Sequence, residues 1–361
     1  MAYELSRLGA KHICLVDEGI AEIEPAIPSE TMSNITSHSA GIITSQLWPP
    51  LDPMIARETI NIIKEVINIE PSSKFVNSLP SLILCSRRDS YQMLNDLQTR
   101  MINEGITSEI MKGNELRKKF PYIRDKRILG ASYSESGLLV NPRNYLARLM
   151  KSFRDSGGTV LQDRVVGLIE EHECITGIRT EAEKLTADKV IIAAGSNSQE
   201  LLGNYLPISL HKFLTRFYAV RLKDGIRDLP MIYDMDQQIY LRSDGLNEII
   251  IGGGNETGLN ISDGQGVSVE IQKEELNAWL ESSFSSEVSK IVLKSEGLCS
   301  EPSDQKPIVG EVGSVGSLYC IFGFGGLGLT VAPSLSRNLA ESIVDGRVSK
   351  LLNDFAPERK F

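Results

Sequence analysis

The chain of 361 residues lacks the features that mark metal proteins, disulfide scaffolds and membrane spans. Cys14, Cys85, Cys174, Cys299 and Cys320 are scattered, with no C-x-x-C and no paired spacing, so neither a zinc site nor a disulfide framework is indicated and a reducing compartment fits. His12, His38, His172 and His211 are too dispersed for H-E-x-x-H or any metal cluster. No run of about 18 apolar residues occurs, and Met1 leads straight into a charged amphipathic segment without the apolar core of a signal peptide. The expected location is therefore cytoplasmic, with peripheral attachment to a membrane left open. A formal charge of −9, spread along the chain without basic blocks, argues against nucleic acid as a partner.

One more absence concerns the first residues. Ala2, Leu5 and Leu8 recur at helical spacing, Gly9 ends the pattern as a C-cap glycine does, and residues 13–16 form an apolar run expected to be a buried parallel strand. Asp17 stands at the strand's carboxyl end, where a dinucleotide-binding fold keeps an acid for a ribose hydroxyl, about 20 residues after a glycine-rich turn. No such turn precedes it here, so the first strand and its G-x-G-x-x-G loop are expected upstream of Met1 in the complete gene product. A helix, a glycine, a strand and an acid also occur in any α/β protein.

What is present is ordinary for a globular chain, 41% apolar and 24% charged, and long enough for two domains. Residues 20–33 read as a Pro- and acid-rich loop, and residues 34–44 as a small, hydroxylated stretch whose Gly41 permits close backbone approach. Helices are expected over 56–69, 90–104 and 143–155, the last opened by Pro142 and closed by Gly157 and Gly158. Strands at 81–86, 159–161, 165–170, 175–179 and 189–193 follow the same reasoning, and the last runs into Ala194-Gly195-Ser196, a place where a doubly wound sheet binds its ligand. Beyond Leu202, strands at 213–222, 231–233, 238–242 and 248–252 alternate with Asp-Gly and Gly-Gly turns, which predicts an antiparallel sheet. A helix over 269–284, a strand over 318–322, a glycine-rich turn over 323–333 and a final helix over 334–344 complete the chain. Four glycines within six residues of that turn favour close approach of a ligand to free backbone N–H groups.

Taken in order, the segments 2–19, 36–42, 137–142, 187–195, 252–253, 297–310 and 323–333 resemble the D-amino-acid-oxidase-like family of FAD-dependent oxidoreductases, which includes glycine oxidase, monomeric sarcosine oxidase and the beta subunits of dye-linked proline dehydrogenases. The resemblance implies a Rossmann-like, three-layer α/β FAD-binding domain (1–49, 136–202 and 296–361) and an α+β substrate domain with a mixed, largely antiparallel sheet (50–135 and 203–295). It implies FAD as cofactor. Asp17 would hold the adenosine ribose, Thr36, Ser37, Ala40, Gly41 and Ile42 would lie along the pyrophosphate and flavin, Val165 would meet the adenine, and Ala194 and Gly195 would flank the dinucleotide. Gly325, Gly326, Leu327, Gly328 and Thr330 would cover the pyrimidine edge of the isoalloxazine. Departures accompany these matches. Cys299 stands where glycine-oxidase-like members keep a carboxylate-binding arginine, the cysteine that carries covalent flavin in sarcosine oxidases matches Gly297, and their lysine near flavin N5 matches Thr330.

On the substrate side, Tyr240 and Arg242 lie two apart on an expected strand and so share a face, where Arg242 can hold a carboxylate and Tyr240 can donate to it. An exposed arginine on an edge strand would look the same in the sequence. Lys212, Arg216 and His38 are lesser candidates, His38 as a base. The implied reaction moves a hydride from the α carbon of an amino acid or secondary amine to flavin N5. Alternatives keep the fold with a 2-hydroxy acid or glycerol phosphate as substrate, or make the chain a truncated or non-catalytic subunit of a heteromeric dehydrogenase. The electron acceptor (oxygen, a quinone or a carrier protein) and any homo- or hetero-oligomer are left open by the sequence.

Overall fold

The computed structural model describes residues 1–19, 35–47, 49–68, 76–253, 269–284, 287–346 and 349–360. The expected loop at 20–33, Asn34 and Gly254 lie outside these residues.

Strand alternation builds the large sheet. Leu82 and Leu84 of Ser81–Cys85 join Tyr218, Val220, Ile232, Leu241 and Ile251 in one core, which Leu276, Trp279 and Leu280 of the Val269–Ser283 helix cover. Ile83 and Met231 belong to the cluster on the opposite face. From edge to edge the eight strands run Val288–Pro302, Leu210–Leu222, Glu248–Gly253, Ile239–Ser243, Met231–Asp234, Ser81–Cys85, Gly130–Ser134 and Glu109–Lys112. The pairing of Met231–Asp234 with Ser81–Cys85 is parallel and the other pairings are antiparallel. The mixed, largely antiparallel sheet expected from the turns is therefore present.

The parallel layer departs from expectation. Cys14–Val16 pairs in parallel with Thr159–Leu161, and Val190–Ile192 pairs in parallel with Leu318–Phe322, which continues antiparallel to Ile308–Glu311. These are two separate sheets, and the outer edges Cys14–Val16 and Val190–Ile192 line one cavity. The 13–16 run does form a strand, but it is not buried: Cys14 is exposed and Leu15 and Val16 are half-buried, because only one edge of the strand is paired.

Helices hold the two leaves together. Glu4 of Ala2–Arg7 is 3% exposed and meets Arg7 Nε at 2.7 Å and Arg337 Nε at 3.2 Å, while Arg337 reaches Glu65 at 2.7 Å. Burial opposes the charge on Arg337, yet its hydrogen bonds to Glu65 and Glu4 hold the guanidinium pKa above its ordinary value. The last long helix is Gly328–Asp345, which begins well before position 334 and contains Pro333. Pro333 has no N–H to give Leu329, but the N–H groups of Thr330 and Val331 already close the first turn on Leu327 O at 2.9 and 3.1 Å. Gly346, at φ 70°, caps the far end in the left-handed conformation.

Candidate active site

A cavity of about 2500 Å³ runs from the edge of Cys14–Val16 past the Ile35–His38 turn to the sheet face carrying Tyr240. Small-molecule pockets usually measure about 300–1,000 Å³, so this volume suits a dinucleotide with a substrate beside it. Asp17 and Val165 lie at one end, Ala194 and Gly195 along the side, and Thr36, Ala40, Gly41 and Ile42 on the facing wall. Gly325, Gly326, Leu327, Gly328 and Thr330 line it as well, with His38 and Tyr240.

Three expected residues are not brought to this wall: Ser37, Arg242 and the lesser candidate Lys212, whose Nζ lies 3.7 Å from Glu200 Oε1. Ser37 is 7% exposed and faces inward from the single 3-10 turn Ile35–His38, a turn where the sequence suggested only a loop. Arg242 shares a strand face with Tyr240 as expected, but its Nε donates to Ala40 O at 2.6 Å and its Nη1 donates to Ser243 O at 2.7 Å and Asp244 Oδ1 at 2.8 Å. The guanidinium thus braces the 36–41 turn from outside the cavity. Two arginines line the cavity: Arg164, near Asp163 and Val165, and Arg216, on the same large sheet as Tyr240, whose Nε meets Glu296 Oε2 at 3.0 Å.

The 36–41 turn needs its glycine. Gly41 has φ 74°, and a Cβ there would strike the carbonyl oxygen of Val140, whose N–H bonds Gly41 O at 2.8 Å. At Gly195 and Gly326 a Cβ would meet nothing within 4 Å, so these two open toward space a flat or charged group can enter.

The glycine-rich turn offers fewer free donors than its composition suggests. Gly325 N–H donates to Ser300 O at 3.0 Å, Leu327 N–H to Phe324 O at 2.9 Å, and Gly326 N–H to the Cys299 thiol. The N–H groups of Gly328 and Leu329, in the first turn of an 18-residue helix, have no hydrogen-bond partner among the described residues. They are donors available to negative charge on a ligand, and their place follows from the helix starting at Gly328.

Beneath this turn, sequence reasoning singled out Gly297 and Cys299 but missed Thr215. Thr215 Oγ1 lies 3.7 Å from Cys299 Sγ and donates to Gly297 O at 3.2 Å. Burial pushes the Cys299 thiol up, so it stays a neutral thiol. The Tyr240 phenol is likewise pushed up by burial, with Cys299 adding to the rise and Arg242 opposing it. Its Oη lies over Gly252, where a Cβ would sit 2.5 Å away. The register Tyr240–Gly252–Phe217 across three strands was the available signal, and it becomes visible only once the strands are paired. Among the described residues no cluster of three or more His, Cys, Asp or Glu side chains could hold a metal ion, and no helix is long and apolar enough to cross a membrane.

The sequence pattern of the family described as "FAD dependent oxidoreductase" matches residues 1–342. Among curated proteins, the "Uncharacterized oxidoreductase YurR" of Bacillus subtilis (strain 168) is 25% identical over 250 residues, covering 68% of this chain and 66% of the relative. The 4-methylaminobutanoate oxidase (formaldehyde-forming) of Paenarthrobacter nicotinovorans is 20% identical over 373 residues, 96% of this chain and 42% of that protein. The chain therefore spans less than two thirds of the length of these relatives. In three dimensions it is similar to L-proline dehydrogenase from P. horikoshii, with a TM-score of 0.81, 17% identity and coverage of 99% of this chain and 93% of that one. Glycine oxidase from Bacillus cereus ATCC 14579 follows at TM-score 0.75 and 18% identity, with 99% and 95% coverage. At such identities these structures bear on the fold, which is the mixed helix and sheet arrangement, with a large mixed sheet, expected from the sequence.

Proposed function

Because this chain belongs to the family of FAD-dependent oxidoreductases, we propose that it removes a hydride from the nitrogen-bearing carbon of an amino acid or secondary amine held in the large cavity. The supporting observation is that one cavity is lined by Asp17 and Val165, by the glycines and backbone donors of the 325–329 turn, and by the apolar and phenolic side chains of Ile83, Met231, Tyr233 and Tyr240. The residues present fit FAD: open glycines at 195 and 326, unpaired N–H groups at 328 and 329, and an acid at the end of the 14–16 strand.

FAD, when bound, supplies the hydride acceptor. The chain's own groups position and polarise. The Gly328 and Leu329 N–H groups, at the positive end of their helix, face any negative charge that collects on the cofactor edge. Tyr240, protonated throughout the working range, donates to the substrate carboxylate. Arg216, steadied by Glu296, supplies the matching positive charge from the wall, the role the sequence suggested for Arg242. Apolar Ile83 and Met231 keep water from the reacting carbon.

The test is anaerobic reduction of the FAD-loaded protein by a panel of amino acids, N-methyl amino acids and 2-hydroxy acids, read as loss of flavin absorbance. Reduction by the amines is expected, and Arg216→Gln should raise KM for carboxylate-bearing amines by roughly 10–100-fold, the worth of one charge-assisted hydrogen bond. Reduction by 2-hydroxy acids alone would overturn the reading.

A further inference from the structure

The even spread of charge inferred from composition fails at one place. Between residues 112 and 127 seven cations stand against two acids, a net +5 that leaves −14 on the rest of a chain whose total is −9. The fold gathers part of this charge around a second hollow of about 480 Å³, which shares no lining residue with the large cavity. Arg88, Lys112, Arg117 and Lys126 line it, contributed by the start of the Arg88–Asn103 helix, the junction of Glu109–Lys112 with Gly113–Lys119, and the turn after Asp125. No carboxylate lines it, and none of the four makes an ion pair among the described residues.

The hollow is shaped around one of these cations. Arg117 is half-buried, with Nη1 donating to Asp125 O at 3.3 Å and Nη2 to Asn114 Oδ1 at 3.0 Å. It lies against Gly113, where a Cβ would stand 3.1 and 3.2 Å from the two terminal nitrogens and 2.5 Å from Ile128 O, so the glycine leaves the room the fork occupies. The Tyr91 ring forms another wall and is pressed onto Gly130, whose Cβ would stand 2.5 Å from ring carbon Cε2. The acids close by are engaged elsewhere: Glu115 accepts from the Lys112 N–H at 2.9 Å, and Asp125 is held by Arg127 at 2.8 Å. Asp89 sits beside Arg88 on its helix but is not part of the wall.

We infer that this hollow is a binding site for a small organic diphosphate, of the nucleoside diphosphate kind, separate from the FAD cavity. Four converging cations match a diphosphate's charge, a guanidinium fixed on its protein side presents a planar fork to phosphate oxygens, and Tyr91 offers a ring surface for the organic part. The hollow is shallow and open to solvent, and its volume lies within the usual small-molecule range of about 300–1,000 Å³. A flat anionic surface would leave Tyr91 and the recess unused.

Calorimetric titration of the FAD-saturated protein with pyrophosphate, ADP and adenosine, alongside sedimentation with phosphatidylglycerol vesicles, tests this. Using the FAD-loaded form keeps the probes out of the large cavity, and an unchanged flavin spectrum verifies it. Pyrophosphate and ADP should bind saturably, ADP more tightly, with affinity falling as salt rises. The Lys112→Gln/Lys126→Gln double variant, altered at two exposed side chains, should weaken both by about tenfold or more while keeping the thermal midpoint. The inference fails if adenosine binds as well as ADP, if the double variant binds unchanged, or if only the vesicles bind.

Discussion

Arg242 offers the sharpest test of how side chains are assigned around the cavity, because its sequence position suggests substrate binding and its contacts make it a brace. Replacing it with methionine keeps the aliphatic stem and removes the donors to Ala40 O, Ser243 O and Asp244. Ala40 is 9% exposed, so its carbonyl loses a charge-assisted bond without ready access to water. Such a bond contributes about 1.5–3 kcal/mol, and the Asp244 pair, partly open to solvent, adds up to about 1 kcal/mol. The expected loss is therefore about 2–4 kcal/mol, or a fall in Tm on the order of 3–5 °C for a chain of this length. Differential scanning fluorimetry of the FAD-loaded Arg242→Met variant measures it. FAD affinity should drop as well, since the braced turn carries Thr36, Ala40 and Gly41 on the cavity wall. If the variant instead keeps its Tm and FAD affinity but shows a KM raised by roughly tenfold or more, Arg242 binds substrate and the brace reading is wrong.

Gly41→Ala forces both a left-handed backbone and a clash with Val140 O, and should destabilise by at least about 2 kcal/mol; a Tm within a degree or two of the parent would contradict the close approach. Arg337→Met leaves the buried Glu4 with Arg7 alone and should cost about 3 kcal/mol, whereas adding Glu4→Gln should restore part of it; chemical denaturation of the single and double variants decides this. Asp236 is expected to limit acid stability. Burial pushes its carboxyl up, but donors from Ser90, from the backbone and hydroxyl of Ser86 and from Arg87 outweigh that and hold it below the ordinary carboxylate range. A depressed folded pKa adds stability that is complete above the unfolded pKa of about 3.9 and is lost as pH falls through the folded value. Urea midpoints for the parent should thus decline below about pH 4, and Asp236→Asn should start lower and flatten that decline; an identical slope in both proteins would refute the assignment.

The parts of this fold that were legible in the sequence are those decided within a few residues. Pro142 after Asn141 announces a helix, and Asn141 Oδ1 does accept from the Asn144 N–H at 3.1 Å. Tyr240 and Arg242 share a face because a strand alternates, and Ala194-Gly195 follows Val190–Ile192 as a ligand-side turn should. What was not legible depends on distant partners. The chemistry of Arg242 is fixed by a carbonyl 202 positions away, and Asp236 is surrounded by donors 146 to 150 positions upstream. Pro333 made 334 look like a helix start, yet a proline inside the first turns is tolerated when earlier N–H groups have closed the helix. The basic hollow was hidden for the same reason: its cations lie on three segments, and only Lys112 to Lys126 are near neighbours in the chain.

The divided parallel layer also governs how the molecule comes apart. A continuous sheet passes hydrogen bonds from strand to strand and so tends to melt as one cooperative unit, but here, among the described residues, no ladder joins the Cys14–Val16 leaf to the Val190–Ile192 leaf. Their coupling rests on side chains: the Glu4–Arg337 pair, the cluster that holds Met1 with Ile191, and the one that holds Tyr3 with Leu149 and Leu329. A ligand that touches both leaves at once becomes a mechanical link as well as a cofactor. Its binding free energy then acts as cooperativity, turning two loosely coupled folding units into one, and the sharpness of the unfolding transition becomes a direct reading of cofactor occupancy.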